Sequence, residues 1–179
     1  MPTPAFLLAF IVSWVQNACR IMKSAAPGTV RKPCYVDQAQ PTRRRRNPTV
    51  LVVDDVQGMR EMLRGVLTII ARCRVIMAET SNGGLALAKK DQVDVVISDL
   101  NRPGVTGFQF LRLFKQAHPN IPVIIFSGSV FGARKRRAHR LGAFRCLAKP
   151  GSADAIIKAV GEALGAGWLG KVRRAANRR

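Results

Sequence analysis

Along the middle of the chain, short unbroken apolar runs take turns with longer stretches in which apolar residues recur every third or fourth position. The runs TVLVVDD, RVIMAET, VDVVISDL, PVIIFSG and FRCLAK predict five strands. Between and after them, VQGMREMLRGVLTIIA, GGLALAKKD, GFQFLRLFKQAHP, VFGARKRRAHRLG and ADAIIKAVGEAL predict five helices. In the first helix Met59, Met62, Leu63, Val66, Leu67 and Ile70 fall on one face. In the last, Ile156, Ile157, Val160 and Leu164 do the same. Pro119 stops the third helix, Gly142 offers a carboxyl-terminal cap to the fourth, and Ser152 an amino-terminal cap to the fifth. Strands that read as solid valine and isoleucine belong in a parallel sheet covered by helices on both faces. Alternation of this kind, with short connections, predicts an open doubly wound α/β domain. Such sheets hold their ligands beyond the carboxyl ends of the strands, where the strand order reverses.

Outside residues 48–165 the rhythm is lost. Ala5–Val15 is an apolar run too short to span a bilayer, which takes about 20 residues, and its basic neighbours Arg20 and Lys23 follow it, unlike those of a secretory signal. Proline- and arginine-rich sequence comes next. Residues 1–47 therefore read as a disordered basic extension, with an amphipathic membrane anchor as the second reading. Residues 166–179 read as a basic tail. Charge agrees with this division. The chain carries 30 Lys+Arg against 10 Asp+Glu, a net of +20, and nine of the ten acids lie within 48–165. The four cysteines have no metal-ligand spacing and read as reduced thiols of a cytoplasmic protein.

The candidate chemistry sits at strand ends. Asp54 and Asp55 close the first strand, Asp99 the third, Ser127 the fourth and Lys149 the fifth. A parallel sheet gathers all of them at one edge. Three carboxylates in one pocket repel each other, so the arrangement calls for a divalent cation together with Lys149. Hard oxygen donors without histidine or cysteine favour Mg²⁺. A carboxylate beside Mg²⁺ and a lysine is equipped to take up a phosphoryl group.

At these positions the chain resembles the receiver domain of two-component response regulators, especially the single-domain CheY-like regulators. The resemblance covers about residues 48–165. It rests on the acidic pair in VVDD, on SDLNRPGVTG as the D-x-x-x-P-x-x-x-G motif, on Ser127 in FSGS, and on Lys149–Pro150. It implies a flavodoxin-like strand order of 2-1-3-4-5 and makes Asp99 the phosphoacceptor. Asp55, Asp99 and the backbone carbonyl of Asn101 become Mg²⁺ ligands, and Asp54 the holder of a metal-bound water. Lys149 pairs with the phosphoryl oxygens, Ser127 turns toward them as the switch, and Pro150 follows a cis peptide or shapes a turn. The implied partner is a sensor histidine kinase or histidine phosphotransfer protein, and the implied role is a phosphorylated regulator rather than a conventional enzyme.

Three departures bear on output. Arg102 stands where the family usually has methionine, Cys146 where it has the switch Tyr or Phe, and Gly151 where an apolar residue often follows Lys-Pro. The fourth helix, normally part of the face that partners read, carries Arg134, Lys135, Arg136, Arg137 and Arg140. With Cys146 these form the candidate output face, for an unidentified downstream protein. The favoured reading is a stand-alone receiver signalling by protein–protein contact. The alternatives are a basic nucleic-acid-binding protein on a receiver scaffold, less favoured because no aromatic residues interleave the arginines, and a membrane-surface regulator held by residues 5–15 and Arg43–Arg46.

Overall fold

The computed structural model describes residues 46–102, 106–165 and 168. The apolar run at 5–15, Arg43–Arg45, Pro103 and nearly all of the basic tail lie outside the described residues. The chain divides between Asn47 and Pro48, and the second unit is the one described below.

The five strands are β1 (Thr49–Val53), β2 (Arg74–Ala78), β3 (Val95–Ser98), β4 (Val123–Ser127) and β5 (Arg145–Ala148). They alternate with α1 (Gln57–Ile69), α2 (Ser81–Lys90), α3 (Gly107–Ala117), α4 (Gly132–Arg140) and α5 (Ala153–Leu164). All neighbours pair in parallel, in the order β2-β1-β3-β4-β5. The order reverses between β1 and β3, which places the topological switch point at their carboxyl ends.

Alternate residues of each strand point to opposite faces. Leu51, Val53, Val96 and Ile125 pack with Ala88, Phe110, Leu111, Phe114 and Ala138, from α2, α3 and α4. Val50, Val52, Val95, Ile97 and Ile124 pack with Leu63, Leu67, Ile156 and Val160, from α1 and α5. The three inner strands are buried throughout. The sequence suggests the same for β2 and β5, but both are partly exposed. Each is an edge strand with a neighbour on one side only, so half its flank faces solvent.

Local sequence fixes the helix starts. The Thr80 hydroxyl accepts from the Gly83 amide, and the Ser152 hydroxyl from the Ala155 amide at 3.2 Å. Thr106 and Gln109 form a reciprocal capping box on α3. Gly142 ends α4 at φ +92°, a backbone that glycine adopts without strain. Helix α4 is unusual: Ala138 is its one buried residue, and every arginine and lysine on it is exposed.

Candidate functional site

Strand register builds the site. Val53 pairs with Ser98, so Asp54 and Asp99 leave the sheet side by side. Ser127 pairs with Ala148, which sets Lys149 one residue beyond them. The Asp99 amide donates to the Val53 carbonyl at 3.1 Å, and the Lys149 amide to the Ser127 carbonyl at 3.1 Å, extending the ladder past the strand ends. The Lys149–Pro150 peptide is cis.

The carboxylates of Asp54, Asp55 and Asp99 each offer an oxygen within 4.8 Å of the others. Lys149 Nζ donates to Asp54 Oδ2 at 2.6 Å and to Asp99 Oδ2 at 2.8 Å, bridging residues 95 and 50 positions away in the chain. The Val56 amide donates to Asp54 Oδ1 at 3.0 Å, and the Asn101 amide to Asp99 Oδ1 at 3.1 Å. Burial pushes the Asp99 carboxyl up. Hydrogen bonds from Lys149, Ser127 and the Asn101 amide, with the Lys149 charge, outweigh it and hold the group below its ordinary value. Ser127 is fully buried, with its hydroxyl already inside the fold. That hydroxyl lies 3.5 Å from the amide and hydroxyl of Ser129, too loose for well-formed bonds, which leaves Asp99 as its partner.

Two arginines complete the pocket. Arg102, at 8% exposure, is buried beneath it. Its Nη1 donates to the Val53 carbonyl at 3.0 Å and its Nη2 to Ser98 Oγ at 3.1 Å, while Nε is buried with no partner among the described residues. The guanidinium lies 5.1 Å from the centre of the Phe110 ring. Burial lowers its pKa, opposed by the charges of Asp99, Asp54 and Asp55; a guanidinium nonetheless stays charged. Arg60 Nη1 donates to the carbonyls of Asp54 and Asp55 at 2.7 and 3.0 Å, fixing the β1–α1 turn. The sequence reading missed both roles. For Arg102 the available signal was its departure from methionine; for Arg60 no local pattern announces it.

Residues 50–161 match the response regulator receiver domain. The chain belongs to that family. This receiver is 32% identical over 111 residues to the response regulator protein FleR of Pseudomonas aeruginosa, covering 62% of this chain and 23% of that one. It is 34% identical over 117 residues to the transcriptional regulatory protein GlrR of Escherichia coli, covering 64% and 26%. The matched segment thus spans about a quarter of these curated relatives. Among solved structures, the chemotaxis protein CheY4 of Vibrio cholerae superposes with a TM-score of 0.64 at 29% identity, over 66% of this chain and all of that one.

The donor set of the receiver fits Mg²⁺: three clustered carboxylates, no soft ligand among them, and an Asp55 side chain that makes no hydrogen bond or ion pair among the described residues. Asn101 lies beside them, its amide on Asp99. Its side-chain oxygen instead faces away, accepting from Ser129 Oγ at 3.0 Å and from Arg134 Nη2 at 2.8 Å. The remaining candidate output residues, Lys135, Arg136, Arg137 and Arg140, are exposed on α4. Cys146 is half-buried on β5. Burial pushes its thiol pKa up, against the opposing charge of Lys135 on α4.

Proposed function

We propose that this receiver takes a phosphoryl group onto Asp99 from a phosphohistidine of a sensor kinase or histidine phosphotransfer protein. One observation carries the proposal: Lys149 bridges Asp54 and Asp99 inside the carboxylate cluster, at 2.6 and 2.8 Å. The lowered pKa of Asp99 keeps it anionic and able to attack. Its carboxylate oxygen forms the O–P bond as the P–N bond of the donor breaks, and the electron pair returns to the leaving imidazole. Lys149 then follows the charge from the carboxylate to the phosphoryl oxygens, and the buried Ser127 hydroxyl donates to one of them. Asp55, Asp99 and the Asn101 carbonyl are the proposed Mg²⁺ ligands, with Asp54 on a bound water. The metal supplies neutralisation of charge on the transferring oxygens.

The proposed output is a contact made by the receiver itself, between a basic extension at 1–47 and a basic tail at 166–179. CheY4, matched over the whole of its chain, is the precedent for this reading, while in FleR and GlrR the matched segment is about a quarter of the chain. The proposed compartment is the cytoplasm, in keeping with the free thiols of Cys73 and Cys146. Among the described residues no helix is long and apolar enough to cross a membrane.

The test is incubation of the full chain with a small acyl phosphate and Mg²⁺, followed by intact-mass measurement. One phosphoryl group, released by hydroxylamine, should appear on wild type and be absent from Asp99→Asn or after chelation of the metal. Label on the Asn variant, or on a serine, would overturn the assignment.

A further inference from the structure

Two adjoining depressions run between α3 and α4, of about 580 and 300 Å³. Both are lined by Phe108, Gln109 and Arg137, so they form one groove. Its floor is apolar, with Phe108 along it and Leu141 at one end. Its rim is cationic. Arg134 lies 5.5 Å and Arg137 4.5 Å from the centre of the Phe108 ring, and Arg112 flanks the far half. Among the described residues no carboxylate lines it. Neither α3 nor α4 carries an acid, and no ion pair among the described residues uses a cation of either helix.

Helix α4 is charged against its own stability. Arg134 and Lys135 lie in its first turn, where the helix dipole disfavours cations. Arg134 faces Arg137, and Arg136 faces Arg140, at helical spacings where like charges repel. With one buried residue, α4 has little packing to offset this. A bound anionic group would relieve both conflicts.

The occupant follows from complementarity. A second copy of this chain, at net +20, is repelled. A nucleic acid would want an accessible ring to stack on, and Phe108 is 8% exposed with two guanidiniums over it. An acidic peptide matches the cationic rim, and an apolar side chain on it reaches the Leu141 end of the floor, which the guanidiniums over Phe108 leave open.

We propose that the α3–α4 groove docks an acidic segment of a partner protein, and that Asn101 ties this docking to the state of Asp99. Asn101 touches both places: its amide holds Asp99 Oδ1 at 3.1 Å, and its side-chain oxygen holds Arg134 at 2.8 Å. A phosphoryl group on Asp99 takes up the carboxylate oxygens, shifts the Asn101 backbone and repositions Arg134 at the rim. This second half rests on the phosphoacceptor reading; the docking half does not.

The experiment uses the full chain and a fluorescein-labelled dodecapeptide of Glu-Glu-Leu repeats, read by anisotropy. The double variant Arg134→Gln/Arg137→Gln should weaken binding by about tenfold or more, as loss of central charged contacts does. Lys89→Gln/Lys90→Gln removes equal charge from exposed positions on α2 and should change it less than about twofold. Equal losses from the two variants, or no binding by wild type, would overturn the groove. Amide shifts on adding peptide to wild type should centre on Phe108, Gln109 and Arg137, which keeps the test independent of the variants. An oligothymidylate of matched charge that binds more tightly, through the same arginines, would replace the peptide as occupant and overturn the proposal. With the acyl phosphate and Mg²⁺ present, peptide affinity should change in wild type and stay fixed in Asp99→Asn. Failure to label Asp99 would defeat the phosphoacceptor reading and leave docking by the unmodified protein standing. Labelling without a change in affinity would overturn the Asn101 link alone.

Discussion

Gly107 closes the motif that opens at Asp99, and replacing it with alanine tests why a glycine is there. Its φ is not in the left-handed region, so conformation does not demand it. Space does. A Cβ at Gly107 would stand 2.3 Å from the Asp99 carbonyl oxygen and 2.4 Å from Leu100 Cα, where ordinary contact lies near about 3.5 Å. The start of α3 or the end of β3 would have to retreat by about 1 Å. Both obstacles are backbone. The Asp99 amide is bonded to Val53, and the Gly107 amide to Leu100, each at 3.1 Å. Overpacking costs about 1–3 kcal/mol where side chains can yield. Here none can, so Gly107→Ala should cost at least about 3 kcal/mol. With a urea slope of about 1.5 kcal/mol/M, the unfolding midpoint should fall by about 2 M. Phosphorylation should slow as well, because the displaced atom belongs to Asp99, the proposed acceptor. Gly65 is the control. It lies inside α1, and a methyl group added there would meet nothing within 4 Å, so Gly65→Ala should stabilise by about 0.5–1 kcal/mol. A Gly107→Ala midpoint within about 0.3 M of wild type, with normal labelling, would refute the close-packing account.

Lys149→Met should weaken the pH dependence that Asp99 contributes. In wild type the depressed carboxyl stabilises the fold above its ordinary pKa of 3.8, and that contribution fades as pH falls through the lower folded value. Without Lys149, burial is opposed only by the Ser127 and Asn101 hydrogen bonds, so the variant should lose less stability than wild type as acid is added; urea titrations across pH would show it, and parallel curves would contradict it. Arg102→Met removes the buried cation beneath the three carboxylates, leaving Lys149 and Arg60 beside them, and should tighten Mg²⁺ binding by about tenfold or more, since a close charge of this kind moves a carboxylate pKa by about 1–3 units; unchanged affinity by calorimetry would sink the electrostatic role of Arg102. Ser127→Ala should reduce the effect of phosphorylation on partner affinity by about tenfold, because a bond to a charged acceptor contributes about 1.5–3 kcal/mol, while Asp99 still labels; an unchanged difference would move the switch elsewhere.

The strand ends were legible because two signals coincided. Solid apolar runs announced a parallel sheet, and polar residues that recur at the end of each run have to meet at one edge. What could not be read depends on partners remote in the chain. Arg102 looks like a solvated turn residue until the Val53 carbonyl, 49 positions earlier, is seen to receive it. The arginines of α4 read as an output face, but nothing local shows that two of them lie over Phe108, or that Arg134 reaches the Asn101 side chain across 33 positions. Even the burial of a strand has this character. The apolar texture of β2 and β5 resembles that of the inner strands, and their place at the rim comes from the crossover order, which no local run encodes.

The register that aligns Val53 with Ser98, and Ser127 with Ala148, also decides when in the life of the molecule the pocket exists. Its charged members come from β1, β3 and β5, the first and last of them 95 positions apart. A polypeptide growing from its amino end exposes all three acids long before the lysine that draws two of them together. Until β5 docks against β4, the carboxylates lack their bridging cation and the sheet has a bare inner edge. Non-local pairing of this type forms late in folding. Competence to accept a signal should therefore arrive together with the final strand, so a truncated or half-formed chain stays silent in the relay instead of draining phosphate from it.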